Sequence, residues 1–257
     1  MLEGLYAGST ADALLRREVV SVADLEAKIE TLADPIDAIK AFQPRSTVHI
    51  LAEIKRASPS RGDLAAIHQP AELAKTYEEA GATGISVLTE ERKFKGSLKD
   101  LASVRKEVSL PLLRKDFIAN EYQLLEARAY GADMALLIVA GLDQSTLSRL
   151  MRFAQSLGMT PFVETHDQRE LERALELEAK FVGVNARDLS TFETNRNLFG
   201  ELAHIFPSGV IKVAESAVRG ASDVAHYREA GADVVLVGEA LVTNDASATL
   251  KSFLEVK

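Results

Sequence analysis

Three times in this chain the same phrase separates a helical pattern from an apolar run. Glu79-Ala80-Gly81-Ala82-Thr83, Ala129-Tyr130-Gly131-Ala132-Asp133 and Glu229-Ala230-Gly231-Ala232-Asp233 each stand immediately before a strand-like segment. A glycine at that point ends a helix in a left-handed cap, and the strand follows at once. Three copies of one helix-to-strand turn mean βα units in series, the building block of a parallel sheet.

From residue 47 onward the chain keeps this rhythm. Short apolar runs suited to buried parallel strands cover 48–54, 84–88, 110–114, 133–138, 160–164, 181–185, 210–214 and 233–237. Amphipathic patterns between them predict helices over 70–80, 120–130, 142–157, 167–177 and 220–230, with 246–256 closing the chain. Eight strands with eight following helices give an α/β fold, the (β/α)8 TIM barrel. An open doubly wound sheet is the rival; it normally shows Gly-x-Gly-x-x-Gly after its first strand, and this chain has none there. Residues 1–46 read as a helical extension that covers something and not as a separate domain. Val22, Leu25, Ile29 and Leu32 recur at helical spacing, Ser21 or Asp24 can cap, and Pro35 and Pro44 punctuate the end.

Composition narrows the chemistry. With 257 residues, 47% of them hydrophobic, the chain can bury one large core and suits a single barrel domain. It has no cysteine, which excludes disulfides and thiolate nucleophiles and fits a reducing compartment. The five histidines show no ligand spacing, so a metal site is not expected. A formal net charge of −8 argues against nucleic acid as a partner, though local cations in a cleft can still hold a small anion. No apolar run is long enough to span a membrane, and the start of the chain lacks the pattern of a signal peptide. The expected setting is the cytoplasm.

Five of the apolar runs end in charged or amide residues. In a barrel the strand ends converge on one mouth, where active sites lie. Alternation puts Leu51, Glu53 and Lys55 on one face, so a carboxylate and an ammonium stand close together, able to exchange protons with a ligand or simply to neutralise each other. The following loop, 57–62, offers small residues, hydroxyls such as that of Ser58, and a cation; it can close over an anion or be an ordinary turn. Lys115 and Glu164 occupy further tips. Desolvation is expected to lower the pKa of such a lysine and raise that of such a glutamate, fitting both to proton transfer near neutrality. Asn185 and Arg187, two apart, suit a hydroxyl and a carboxylate. Glu215-Ser216-Ala217 and Gly238-Glu239 follow the last two strands, where barrels often bind phosphate through backbone N–H groups. The segment 165–168 reads as a helix-starting capping box, which makes His166 structural and leaves Glu164 as the preferred base.

Taken together these segments resemble the indole-3-glycerol phosphate synthase family. The resemblance is strongest in Ala52-Glu53-Ile54-Lys55-Arg56-Ala57-Ser58-Pro59-Ser60-Arg61-Gly62. It continues in family order through Phe94-Lys95-Gly96-Ser97-Leu98, Leu113-Arg114-Lys115-Asp116-Phe117, Phe162-Val163-Glu164, Gly183-Val184-Asn185-Ala186-Arg187-Asp188-Leu189 and Ala214-Glu215-Ser216. It implies ring closure of 1-(2-carboxyphenylamino)-1-deoxyribulose 5-phosphate with loss of carbon dioxide and water, without metal or cofactor, and places the N-terminal extension, 1–46, over the mouth of a barrel formed by 47–257. The roles it implies are Lys115 as general acid, Glu164 as partner carboxylate, and Glu53 and Lys55 in the dehydration. Asn185 and Arg187 would hold a hydroxyl and the anthranilate carboxylate. Glu215 and Ser216 would bind sugar hydroxyl and phosphate, with Gly238 and Glu239 lending backbone N–H groups, and Pro59, Phe94, Phe117, Leu136 and Leu189 would form the slot for the benzene ring. One position departs from the family: Ala217 stands where glycine is usual, which strains the backbone if positive φ is required there. The rivals are a phosphoribosylanthranilate isomerase and a non-catalytic phosphate-binding barrel. A monomer or weak oligomer is expected.

Overall fold

The repeated Gly-Ala phrase forms the same hydrogen-bonded cap each time. Gly81, Gly131 and Gly231 have φ of 101°, 94° and 95°. In the first copy the Gly81 N–H donates to the Glu78 carbonyl and the Ala82 N–H to the Tyr77 carbonyl, and the other two copies repeat the pattern. These bonds satisfy the last helical carbonyls and turn the chain back along the barrel wall.

The computed structural model describes residues 2–188 and 191–256. Eight parallel strands close into a barrel: β1 (His49–Ile54), β2 (Gly84–Leu88), β3 (Leu112–Lys115), β4 (Met134–Ile138), β5 (Thr160–Thr165), β6 (Phe181–Asn185), β7 (Ile211–Glu215) and β8 (Val234–Val237), each paired to its sequence neighbours and β8 to β1. They match the predicted runs to within one or two residues at each end. Their near-continuous burial is the reason: helices cover the outer face and side chains fill the inside, so both faces are largely apolar.

Helices α4 (Pro70–Glu79), α5 (Leu98–Glu107), α6 (Glu121–Ala129), α7 (Gln144–Ser156), α8 (Gln168–Glu176), α9 (Leu198–Leu202), α10 (Ala221–Glu229), α11 (Glu239–Val242) and α12 (Ala246–Leu254) alternate with the strands. The predicted helices do not include α5, in which Leu98, Leu101 and Val104 are its only buried residues, nor α9 and α11, which are too short to show a period. A small hairpin, Ala57–Ser58 paired with Gly62–Asp63, occupies the loop after β1.

The helices before β1 take three different stations. From α1 (Leu2–Val19), Ser9 Oγ donates to buried Asp116 at 2.7 Å and the Tyr6 hydroxyl reaches the Ile138 carbonyl, both at strand ends. α2 (Val22–Glu30) packs Leu25 with Tyr122 and Leu125 of α6 on the barrel's flank. After α3 (Ala38–Ala41), fully buried Phe42 meets Phe181 edge-on at 5.2 Å, and Phe181 meets Phe162 at the same spacing. Among the described residues the prefix thus reaches the mouth through α1, while Phe42 packs at the beginning of β6. Among the described residues no helix is long and apolar enough to cross a membrane.

Candidate active site

Strand register brings the charged tips together. Glu53 on β1 is paired with Ser86 on β2, and Ser86 Oγ donates to Glu53 Oε2 at 3.3 Å. Lys55 Nζ is 2.8 Å from Glu53 Oε1. Burial works to raise the Glu53 pKa, but the Lys55 and then the Lys115 charge bring it below the ordinary value, so Glu53 is a carboxylate. Gly238, after β8, makes this pair possible: a Cβ there would lie 2.6 Å from Glu53 Oε1 and 3.2 Å from Lys55 Nζ.

The centre of the mouth is an ammonium shared by two acidic side chains. Lys115 Nζ donates to Glu164 Oε2 at 2.7 Å and to Glu215 Oε2 at 2.8 Å. Burial would lower the lysine's pKa, yet Glu164, Glu215 and Glu53 together carry it above its ordinary value. Glu164 moves the other way from simple desolvation as well: burial raises it, while Lys115 and His166 hold it well below the carboxylate range. Both directions reverse the sequence expectation, because each group meets opposite charge from other strands and not apolar walls alone. The carboxyl left in reach of neutrality is Glu215, pushed up to about 8 by burial and then by the Glu164 charge. Glu215 lies opposite Asn185 in the β6–β7 register, and its space is kept open by Gly183, where a Cβ would collide with Glu215 Oε1 and stand 2.7 Å from the Phe162 ring.

Asn185 organises three segments. Its Oδ1 accepts from the Arg187 N–H at 3.0 Å and from Ser216 Oγ at 2.7 Å, which leaves its Nδ2 to donate to Glu164 Oε1 at 3.0 Å. The Arg187 guanidinium holds its own loop through the Phe192 carbonyl and lines the cavity.

These groups line one cavity of about 640 Å³, a size suited to a small phosphorylated ligand. The residues singled out from the sequence (Glu53, Lys55, Ser58, Pro59, Phe94, Lys115, Phe117, Leu136, Glu164, Asn185, Arg187, Glu215, Ser216, Gly238 and Glu239) all face it; Leu189 lies outside the described residues. At the apolar end Phe94 and Phe117 have ring centroids 6.0 Å apart, and Tyr6 of α1 packs edge-on against Phe117. At the other end Ser216 and Ala217 adopt φ of 71° and 56°, a pair of left-handed residues that re-aims the chain after β7. Consecutive residues of this kind turn N–H groups toward a common concavity. Ala217 therefore sits where glycine is the least strained residue. Glu239 does not point an idle carboxylate at the cavity: Arg61 of the hairpin grips its Oε1 through Nε at 3.0 Å and Nη2 at 2.7 Å.

The capping-box reading of 165–168 does not hold. Asp167 is the cap, its side chain accepting from the Glu170 N–H, while Thr165 ends β5 and its hydroxyl donates to the Gly183 carbonyl. His166 is released from a capping role and reaches the site, its Nε2 3.2 Å from Glu164 Oε1. Its spacing of two from Glu164, the spacing that paired Glu53 with Lys55, was the signal for it. Leu5, Arg61, Arg196 and Arg219 also line the cavity without having been singled out. Arg61 lay within the loop considered for anion closure; Leu5 and the other arginines carried no signal.

Comparison with known proteins agrees with this architecture. The family model for indole-3-glycerol phosphate synthase matches residues 2–253. The chain is 60% identical over 253 residues to the indole-3-glycerol phosphate synthase of Leifsonia xyli subsp. xyli, covering 98% of this chain and 97% of that one. It is 55% identical to the enzyme of the same name from Parafrankia sp., over 94% of this chain and 90% of that one. Among solved structures, an N-acetylmannosamine-6-phosphate 2-epimerase from Clostridium perfringens superposes with a TM-score of 0.63 at 12% identity, covering 85% of this chain and 96% of that one, a likeness of fold alone. Matched over residues 2–253 by the family model and over nearly its whole length by relatives above half identity, the chain belongs to the indole-3-glycerol phosphate synthase family.

Proposed function

We propose that this protein converts 1-(2-carboxyphenylamino)-1-deoxyribulose 5-phosphate to indole-3-glycerol phosphate, carbon dioxide and water. The observation that carries the reading is the Lys115 ammonium at the barrel mouth, held between Glu164 and Glu215. The ring carbon bearing the carboxylate attacks the ketone carbon, and the ketone oxygen becomes a strong base as the C–C bond forms. Lys115 gives that oxygen its proton. The lysine's high proton affinity is no obstacle, because an alkoxide is a far stronger base than an amine. The C–CO₂ bond then breaks, returning its electron pair to the ring. Last, the new hydroxyl leaves as water and a proton leaves the carbon beside the nitrogen, which completes the indole. Glu53, Lys55 and Glu164 serve these dehydration transfers, with an ammonium at the leaving oxygen and a carboxylate at the carbon.

Binding follows from the two ends of the cavity. The benzene ring occupies the slot of Pro59, Phe94, Phe117 and Leu136. Arg187 takes the anthranilate carboxylate, and Asn185 and Glu215 take sugar hydroxyls. The turn of Ser216 and Ala217 and the backbone at Gly238 and Glu239 take the phosphate. The prefix 1–46 belongs to one domain with the barrel of 47–257 and serves the mouth through α1, a reading supported by Leu5 lining the cavity and by the Ser9–Asp116 bond. The protein works as a monomer or weak oligomer, in keeping with a cavity walled by a single chain, and in the cytoplasm, which its lack of cysteine suits.

The test is turnover. EDTA-treated protein given saturating substrate is expected to release a product with indole absorbance; no product under those conditions overturns the assignment.

A further inference from the structure

His166 is a largely buried titratable group against Glu164 that the proposed chemistry does not use. Its ring is fixed from the outside by Glu170 on α8: Glu170 Oε2 accepts both the His166 backbone N–H, at 2.8 Å, and ring Nδ1, at 3.0 Å. Nδ1 therefore carries a hydrogen. On the inside, Nε2 is buried, makes no aligned hydrogen bond, and faces Glu164 Oε1 at 3.2 Å. A bare nitrogen lone pair at that distance would repel the carboxylate; a second ring proton turns the contact into an ion pair. We propose that His166 is an imidazolium strung between Glu170 and Glu164, a positioning residue that keeps Glu164 ionised and thereby leaves the transferable proton on Lys115.

The physical need is specific. In a buried pocket an ammonium and a carboxylate at 2.7 Å can collapse to a neutral amine and acid, since desolvation penalises both charges. Collapse would move the proton from Lys115 to Glu164, away from the substrate ketone. A cation on the far side of Glu164 opposes that transfer. The surrounding charges agree. Burial alone would lower the His166 pKa, but its contacts with the Glu164 and Glu170 carboxylates carry it up to about 10. The Tyr6 hydroxyl, raised by burial and then by Glu164, stays neutral and donates to the Ile138 carbonyl. Arg173, one turn after Glu170, is occupied by the Val139 and Leu142 carbonyls. Beyond Glu164 stand Lys115 and Glu215.

The inference rests on the synthase reading of the site, and its test separates the two. Imidazole ¹⁵N shifts of ligand-free protein are expected to show His166 doubly protonated at about pH 8, well above an ordinary histidine near 6.5. In Glu170→Gln the ring is expected to lose its second proton at lower pH. His166→Gln removes the cation, so the Glu164 pKa rises and activity is lost earlier as pH falls. The acid limb of kcat/KM is expected to move up by about one pH unit, and kcat to fall about 10-fold with KM nearly unchanged. A neutral ring at about pH 7 in active enzyme, or an unshifted pH profile in both variants, overturns this proposal alone. A wild-type enzyme that makes no product overturns the synthase reading and the role with it. Should His166→Gln fail to fold, Glu170→Gln and the spectra carry the test.

Discussion

Lys115 Nζ lies 2.8 Å from Glu215 Oε2, although 100 residues separate them in sequence. The contact exists because Lys115 and Glu215 are the last residues of β3 and β7, two strands of one closed parallel barrel. It places a second carboxylate on an ammonium already bonded to Glu164, so the two acids cannot both be ionised without repelling each other. Glu164, with two donors and the His166 ring beside it, keeps the charge; Glu215 retains a proton up to about 8. The site thus holds an ammonium, a fixed carboxylate and a carboxyl poised near neutrality within one hydrogen-bonded cluster.

Lys115→Met is expected to lower kcat by about 100-fold or more, the loss associated with a missing general acid, while substrate still binds. Single-turnover assays and equilibrium binding measure the two separately. Unchanged turnover would remove Lys115 from the chemistry.

The Glu215 shift has a consequence for stability. Its folded pKa of about 8 lies above the ordinary 4.5, so the folded state holds a proton that the unfolded state releases. The contribution is fully present below about 4.5 and is lost as pH rises through about 8. Glu215→Gln, which cannot ionise, is therefore expected to gain melting temperature relative to wild type between mildly acidic and mildly alkaline buffers, while its kcat/KM falls. Parallel melting curves in wild type and variant would contradict the raised pKa.

The barrel is legible in the sequence because its physics is local. Strands buried on both faces must be continuous apolar runs, and Gly81, Gly131 and Gly231 are the residues that admit the left-handed cap. The charged tips are legible for a related reason: Glu53, Lys115, Glu164, Asn185 and Glu215 lie at or beside the ends of runs that are mostly apolar. The signs of the Lys115 and Glu164 shifts are not legible, because they depend on which carboxylates converge from β1, β5 and β7 on one ammonium. His166 is hidden for a smaller reason. Thr165 and Asp167 are both acceptable caps, and the ring takes its place only when Asp167 is the one used. Phe42, ahead of β1, gives no sign in sequence of its seat against Phe181.

Gly238→Ala is a steric probe of the Glu53–Lys55 pair. Gly238 has φ of −118°, so an added methyl strains no backbone dihedral. It must instead displace Glu53 Oε1, 2.6 Å from the new carbon. The variant is expected to fold with a melting temperature near wild type and to lose kcat/KM by about 10-fold or more, as a misplaced catalytic group does. Full activity would show that Glu53 can vacate its position without cost to the reaction.

Ala217 offers the complementary probe, in which the backbone is strained and no clash is introduced. Its φ of 56° follows that of Ser216 at 71°, so two L-residues in succession occupy the left-handed region. Each such residue costs roughly 1–2 kcal/mol, and glycine escapes that cost while losing about 0.5–1 kcal/mol more backbone entropy on folding. Ala217→Gly is therefore expected to stabilise the protein by up to about 1 kcal/mol in denaturant unfolding, and Ala217→Val, with a branched Cβ, to destabilise it by more than that. The N–H groups of this turn keep their direction in the glycine variant, so its KM is expected to stay near wild type. If Ala217→Gly instead weakens substrate binding, the methyl group itself is holding the turn in the shape the phosphate requires.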